Sequence, residues 1–227
     1  MNDILILHLE TATKNCSVAL SKNGTCISSK SLVSDGFIHG EQLTLFIEEV
    51  FCEVGFNYSD LSAISVSDGP GSYTGLRIGL STAKGLCFAL GIPLIGLSTL
   101  QIMVEQAKRM VEAVHFIPMI DARRMEVFTG VYTNTTETVL APHPLVLEED
   151  SLAKFEPFVF FGYGAEKVRA LWANRNVQFL DLNYPDANFQ SKLAFEKFKN
   201  QQFEDLAYFT PEYVKAFHST QASVMDK

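Results

Sequence analysis

The 227-residue sequence predicts an α/β protein made of two copies of one fold. A strand that ends in an acid and returns through a tight turn occurs twice, with Glu10 ending the first copy and Asp121 the second. A strand, a Gly-x-Gly turn and a helix also occur twice, at residues 61–90 and 158–172. Such repetition is typical of a duplicated unit. We therefore expect two lobes, each with a mixed sheet flanked by helices.

The first half of the chain predicts three strands followed by alternating helices and strands. Apolar residues recur at helical spacing after His39, and Gly55 ends that pattern. Asn23-Gly24 is a preferred hairpin turn between two strands. The predicted strands cover residues 4–9, 16–20, 27–33, 61–66 and 93–97, and the predicted helices cover 39–54, 74–90 and 98–114.

The second half predicts a shorter version of the same order. Its predicted strands cover residues 117–120, 126–132 and 158–161, and its predicted helices cover 165–172 and 185–210. We divide the chain into an N-terminal lobe over 1–100, a C-terminal lobe over 101–217, whose last helix is free to return to the first lobe, and a polar tail over 218–227.

Composition and charge exclude several classes of protein. The net charge is −8, with 18 basic against 26 acidic residues, and no dense basic run is present, so we expect no tight nucleic-acid binding by this chain alone. The most apolar run, residues 85–97, is too short to cross a bilayer and contains Pro93, so no membrane span is expected. The four cysteines are far apart and form no CxxC pair, and the first residues lack signal-peptide features. A cytoplasmic location is expected.

Small residues recur every fourth position on the helix that follows the glycine-rich turn, at Gly75, Gly79 and Ala83. Each helical glycine costs about 0.8 to 1 kcal/mol relative to alanine. Residues at this spacing share one helix face, so close approach of another backbone would offset the cost. The pattern alone leaves internal packing and an intermolecular interface open, and it leans towards internal packing.

The glycine-rich turn itself is a candidate anion loop through Gly69, Gly71 and Ser72, because helix N-termini bind anions. It lacks the lysine of a P-loop, and Thr74 stands where a dinucleotide motif has its third glycine. A structural turn is favoured over a binding loop. His39 opens a helix, but Leu43 occupies the position four residues later, where a second metal-ligating histidine would stand.

One stretch carries a family resemblance. The segment GPGSYTGLRIG, followed by AKGL and IPLIGLSTL, closely resembles the TsaB (YeaZ) family of bacterial tRNA threonylcarbamoyladenosine biosynthesis proteins. Weaker likenesses are ILHLETATKNCSVAL, DARRMEVFTGVY and PEYVKAF. The resemblance implies the duplicated actin-like fold of sugar kinases and heat-shock chaperones.

The resemblance further implies a non-catalytic partner of a TsaD-type subunit, which works with a TsaE-type ATPase to place a threonylcarbamoyl group on an adenosine beside the tRNA anticodon. It implies tRNA contact only through the complex, and a homodimer when the partner is absent. No intrinsic cofactor is expected, and ATP or ADP would bind weakly at most, at the joint surface. With the resemblance added, the stripe becomes the expected interface, formed by Gly75, Leu76, Gly79, Leu80, Ala83 and Leu86.

Two other functions stay open on the residues. An autonomous ATPase or kinase of the same superfold would use Glu10, Asp68 and Asp121 around a nucleotide and magnesium. A metallopeptidase is suggested only by the kinship of this superfamily with so-called glycoproteases.

Overall fold

The computed structural model describes residues 3–34 and 39–214, which form two five-stranded sheets of the same topology. The strands are β1 (Leu5–Glu10), β2 (Asn15–Lys22), β3 (Thr25–Val33), β4 (Ala63–Gly69), β5 (Leu94–Ser98), β6 (His115–Asp121), β7 (Glu126–Thr133), β8 (Thr138–Val146), β9 (Phe158–Phe161) and β10 (Val177–Phe179). The first sheet has the order β3-β2-β1-β4-β5, and the second has the order β8-β7-β6-β9-β10.

Strand direction also repeats between the two sheets. In each sheet the first three strands along the chain pair antiparallel, and the remaining two join in parallel. Identical order and direction in both halves confirm the duplicated α/β fold. The acid at the end of the first strand of each copy, Glu10 on β1 and Asp121 on β6, occupies the equivalent place in the two lobes.

Of the five helices in the described residues, four pack on the first sheet, one of these also contacts the second sheet, and the fourth along the chain packs in the second lobe. They are α1 (His39–Val54), α2 (Tyr73–Leu90), α3 (Thr99–Ala107), α4 (Glu166–Arg169) and α5 (Gln190–Lys199). Both α1 and α2 bury their apolar faces in one core with β1, β2 and β4. On the opposite face, Ile102 of α3 and Ala194 of α5 pack with strand residues. Since Leu100 and Met103 of α3 pack against the second sheet, this helix connects the two lobes.

Three predicted helices are shorter in the structure. α3 ends at Ala107 rather than near residue 114; beyond it Val111 and Ala113 pack against the core of the second lobe, while Met110 and Val114 are exposed. α5 covers Gln190–Lys199 rather than 185–210, and Gln201, with φ of 55°, prevents its continuation. α4 is a single turn at Glu166–Arg169.

Strands β8 and β10 were not predicted from the sequence. β8 contains Pro142 and Pro144, which argue against a central strand, but β8 lies at the edge of its sheet, where proline is tolerated. β10 has only three residues and lies at the other edge.

The end of the described chain returns to the first lobe. The backbone N–H of Glu204 donates to Leu94 O at 2.9 Å, and that of Glu212 donates to Asp68 O at 2.8 Å. The predicted tail over 218–227 lies outside the described residues. Within the described ranges, none of the helices combines the length and apolar character that a membrane span requires.

Candidate functional site

The inner stripe of α2, formed by Gly75, Gly79 and Ala83, packs inside its own chain. A Cβ atom added to Gly75 would lie 2.0 Å from Thr11 O, and one added to Gly79 would lie 2.3 Å from Thr11 Oγ1. The Thr11 hydroxyl donates a hydrogen bond to Gly75 O at 2.8 Å. The turn between β1 and β2 is therefore the backbone that approaches this helix.

This packing corrects the predicted partner interface. Five of the six residues assigned to it are buried in the chain's own core, and the sixth, Leu86, is partly buried against that core. The buried five are Gly75, Leu76, Gly79, Leu80 and Ala83. The interface prediction is wrong for these residues because a stripe of small side chains shows that something packs closely, but not which polypeptide does so.

A second stripe on α2 faces solvent. It consists of Arg77, Ser81, Gly85 and Phe88, whose spacing of three and four residues places them on one face, and all four are exposed. Phe88 is 82% exposed, and a Cβ added to Gly85 would meet nothing within 4 Å. Leu45 on the neighbouring helix α1 is 48% exposed. We call these five residues the outer helix face.

The buried carboxyl of Glu10 supports the turn that fills the inner stripe. Its Oε1 accepts hydrogen bonds from Ala12 N at 2.8 Å and from Ser67 Oγ at 2.9 Å, whereas Oε2 is buried without a partner. Burial raises the pKa of Glu10 to about 7. Because the side chain is fully enclosed, Glu10 serves packing in this structure rather than contact with a ligand.

The other two acids proposed for a kinase point to different places. Asp68 lies near Gly96, whose added Cβ would meet Asp68 Oδ2 at 2.9 Å, and burial raises the pKa of Asp68 to about 7. Asp121 Oδ1 accepts a hydrogen bond from Lys167 Nζ at 2.7 Å. Burial pushes the pKa of Asp121 upward, but the hydrogen bonds from Lys167 and the Arg123 backbone leave it lowered overall. Of the three carboxylates, only Asp121 lines the cleft between the lobes.

That cleft has a volume of about 610 Å³ and is lined from both lobes. The first lobe contributes the β1–β2 turn, the start of α1 and the N-terminus of α2, while the second contributes the β6–β7 turn with Phe128 and Tyr163. Ser72 caps α2, since its hydroxyl accepts the N–H of Gly75 at 3.2 Å. We call this space the interlobe cleft.

The predicted anion loop is only partly directed at the interlobe cleft. Gly71 and Ser72 line it, but Gly69 does not; a Cβ at Gly69 would lie 2.6 Å from Glu212 O. Ser72 N donates to Ala12 O at 2.6 Å. A Cβ at Gly71 would also lie 2.4 Å from Ala12 O, so these glycines are required by the neighbouring backbone. Gly69 thus lies outside the cleft lining, and the anion loop stays a prediction.

The start of α1 does not supply a pair of metal ligands. His39 is buried and lines the interlobe cleft, whereas Leu43, one turn later, is 1% exposed and belongs to the core beneath the helix. Within residues 3–34 and 39–214, no three side chains of His, Cys, Asp or Glu are grouped to hold a metal ion.

Comparison with known proteins identifies the family. The model of the family described as TsaD, tRNA N6-adenosine threonylcarbamoyltransferase, matches residues 38–225. The tRNA threonylcarbamoyladenosine biosynthesis protein TsaB of Escherichia coli (strain K12) is 35% identical over 146 residues, which are 60% of this chain and 62% of that protein. The chain belongs to this family, in its TsaB (YeaZ) branch.

Structural likeness to the TsaB branch extends over nearly the whole chain. The solved structure of YeaZ from Pseudomonas aeruginosa superimposes with a TM-score of 0.76 at 28% identity, covering 94% of this chain and all of that one. The tRNA N6-adenosine threonylcarbamoyltransferase of Bacillus subtilis (strain 168) is 37% identical over 129 residues, which are 50% of this chain and 37% of that enzyme. Each of these two matches thus spans less than two thirds of the curated protein's own length. The duplicated actin-like fold that the resemblance implied is confirmed.

Proposed function

We propose that this chain is the non-catalytic subunit that pairs with a TsaD-type transferase in tRNA threonylcarbamoyladenosine biosynthesis. The observation that carries the proposal is the position of Leu43. On α1, the residue one turn after His39 is a leucine enclosed in the core, so this helix cannot offer two histidines one turn apart to hold a metal ion. Threonylcarbamoyl transfer would then take place on the partner.

The positions of Glu10, Asp68 and Asp121 also support a non-catalytic role for this chain. A nucleotide-hydrolysing site of this fold would need acids that converge on a bound metal, but Glu10 and Asp68 do not line the cleft and Asp121 is paired with Lys167. The chain therefore supports catalysis by binding rather than by chemistry of its own. A TsaE-type ATPase and the tRNA would join through the complex, and a cytoplasmic location remains our expectation.

We place the pairing surface on the outer helix face. The family model that describes the transferase covers both α1 and α2, so a TsaD-type partner would present the equivalent helix pair. Related surfaces can pack about a twofold axis, as in most dimers. Phe88 would provide an apolar anchor, and Gly85 would let the two helices approach closely. A homodimer of this chain alone would use the same face.

Mixing experiments with a purified TsaD-type subunit test this proposal. The Phe88→Ala variant should keep its melting temperature, because its side chain is largely in solvent. Loss of a buried aromatic anchor typically costs about 2 kcal/mol of binding energy, so the dissociation constant should rise about 30-fold. Sedimentation or calorimetric titration would measure it.

The matched control is Val146→Ala, which removes an exposed apolar side chain from the edge strand β8 of the other lobe. It should bind the TsaD-type subunit as the wild type does. If wild-type protein forms no complex with any TsaD-type subunit of the same organism, the proposed function is wrong. If a complex forms with equal affinity for both variants, pairing holds but uses another surface.

A further inference from the structure

A stretch near the end of the described chain, residues 203–213, lies across the first lobe, and we call it the strap. We propose that the strap is a pH-sensitive clasp, which is closed while the Asp68 carboxyl is protonated and loosens once that carboxyl is ionised. This inference goes beyond the proposed function, because it concerns a conformational change within this chain and needs no partner.

The strap is attached to the first lobe at two places. Near its start, Glu204 forms an antiparallel bridge with Leu94 and covers the outer edge of β5. Near its end, the backbone N–H of Glu212 donates to Asp68 O, on β4, at 2.8 Å. Between these points, Leu206 packs against the core of the first lobe. The strap therefore closes over the edge formed by β4 and β5.

The ring of Phe209 closes the strap over the Asp68 carboxyl. A Cβ atom added to Gly96 on β5 would lie 2.5 Å from Phe209 Cζ. The same Cβ would lie 2.9 Å from Asp68 Oδ2 and 3.1 Å from Glu204 Oε1, so these two carboxyl oxygens are at most about 6 Å apart. Asp68 Oδ1 is buried without a hydrogen-bond partner. An ionised Asp68 would therefore carry a poorly solvated charge beside a like charge, and both effects are unfavourable.

The other groups that face Asp68 do not remove this penalty. They come from β1, β7, α5 and the strap, and they are Glu10, Tyr132, Lys197, Glu204 and Glu212. Burial raises the pKa of Tyr132, so its phenol stays neutral. Burial, with a contribution from the two acids of the strap, raises the pKa of Asp68 to about 7, against the attraction of Lys197. Asp68 is therefore protonated in the closed strap below neutral pH.

Opening of the strap would return the Asp68 carboxyl to water, where its pKa is near 3.8. Between this value and about 7, the closed state binds more protons than the open state. Closure therefore weakens as pH rises, by up to about tenfold per pH unit for one full proton. Below the lower value Asp68 is protonated in both states, and above the upper value it is ionised in both, so closure no longer changes with pH.

The clasp also reaches the outer helix face. Lys84 Nζ donates to Ala207 O at 3.3 Å, and Arg77 Nε donates to the Tyr213 hydroxyl at 3.2 Å. Both basic residues belong to α2, and Arg77 is part of the outer helix face. Loosening of the strap would release these two side chains and change the charge that the helix presents.

Hydrogen exchange of the full chain, followed by NMR at pH 5 and pH 8, tests the clasp. The reporters are the amides of Glu204 and Glu212, and the reference is the amide of Ile64, which donates to Pro93 O within the first sheet. After correction for the intrinsic pH dependence of exchange, protection of the two strap amides should fall at least tenfold from pH 5 to pH 8. Protection of Ile64 should not fall by the same factor.

Three variants separate the clasp from other effects of pH. Asp68→Asn keeps the shape of the side chain without its titration, so protection of the strap amides should no longer depend on pH. Glu204→Gln removes a like charge beside Asp68 and should raise strap protection a few-fold at pH 8. The matched control is Asp150→Asn, an exposed change in the second lobe, which should behave as the wild type does.

A fall confined to the strap amides, absent in Asp68→Asn and present in Asp150→Asn, would support the clasp. The proposal is overturned if the strap amides are unprotected at pH 5 or equally protected at both pH values. It is also overturned if Ile64 loses protection by the same factor, or if Asp68→Asn retains the fall. Should Asp68→Asn fail to fold, wild-type strap protection in Glu204→Gln at pH 8 would overturn it as well.

Discussion

Helix α2 carries two stripes that each contain glycine, and the surroundings of the two stripes are opposite. Along the inner stripe, Gly75 and Gly79 face the turn between β1 and β2, where an added Cβ would lie within 2.3 Å of Thr11. Along the outer helix face, Gly85 has no atom within 4 Å of the same added Cβ. Glycine therefore has two uses on one helix, since the first stripe admits this chain's own backbone and the second is free for another molecule.

The difference shows that composition alone does not locate an interface. Both stripes repeat at the spacing of one helix face, and both place glycine where it lowers helix stability. What separates them is the orientation of α2 on the first sheet, which the core residues Leu76 and Leu80 fix by pointing inward with the inner stripe. The surface proposed for pairing is therefore the outer helix face, which lies two residues further along the sequence than the inner stripe and on the opposite side of α2.

The strongest test of this difference between the two stripes replaces one glycine by alanine on each side of α2. Gly75→Ala would force its new methyl group against the Thr11 carbonyl, a backbone atom 2.0 Å away, and should lower the free energy of unfolding by about 3 kcal/mol. Gly85→Ala should raise it by up to about 1 kcal/mol, because alanine is the better helix former and nothing obstructs it. Urea unfolding of both variants measures the two effects.

The account requires that Gly75→Ala lowers the free energy of unfolding and that Gly85→Ala raises it. Equal, small effects would mean that the inner stripe is not closely packed, and a large loss in Gly85→Ala would mean that the outer helix face is part of the core.

A smaller effect concerns the pH dependence of the turn that fills the inner stripe. Glu10 has a pKa near 4.5 when unfolded and about 7 in the folded chain. Between these values the folded state binds more protons, so its stability falls as pH rises, by about 1.4 kcal/mol per pH unit for one full proton. Burial raises the pKa of Asp68 in the same direction.

Glu10→Gln should therefore flatten, but not abolish, the fall in unfolding free energy from pH 5 to pH 8. The glutamine carbonyl can still accept from Ala12 N and Ser67 Oγ, which makes the change conservative. Glu48→Gln, on the exposed side of α1, is the control and should leave the slope as it is. A slope in Glu10→Gln equal to that of the wild type would show that Glu10 is ionised in the fold at neutral pH.

Much of the fold follows from the sequence, because period and turn chemistry are local signals. The strand β9, the helix from His39 to Val54 and the end of α2 at Leu90 all follow from apolar spacing or glycine in the sequence. Strand β8 could not be predicted in this way, because its Pro142 and Pro144 fit a strand only at the edge of a sheet. Whether a strand lies at an edge depends on the topology of the whole sheet.

The candidate sites depended on long-range packing and were harder to predict. Thr11 and Gly75 are 64 residues apart in the chain, and nothing in either segment shows that they meet. The outer helix face was only weakly indicated by the sequence, through Gly85, a helical glycine that does not belong to the Gly75, Gly79 and Ala83 repeat.

The most direct test of the central claim, that the outer helix face receives a TsaD-type partner, is the native mass of an equimolar mixture containing the Gly85→Leu/Phe88→Ala double variant. We predict a folded monomer whose melting temperature is no lower than that of the wild type, under conditions where the wild type and Val146→Ala form the heterodimer. A heterodimer of wild-type affinity with the double variant would contradict the claim.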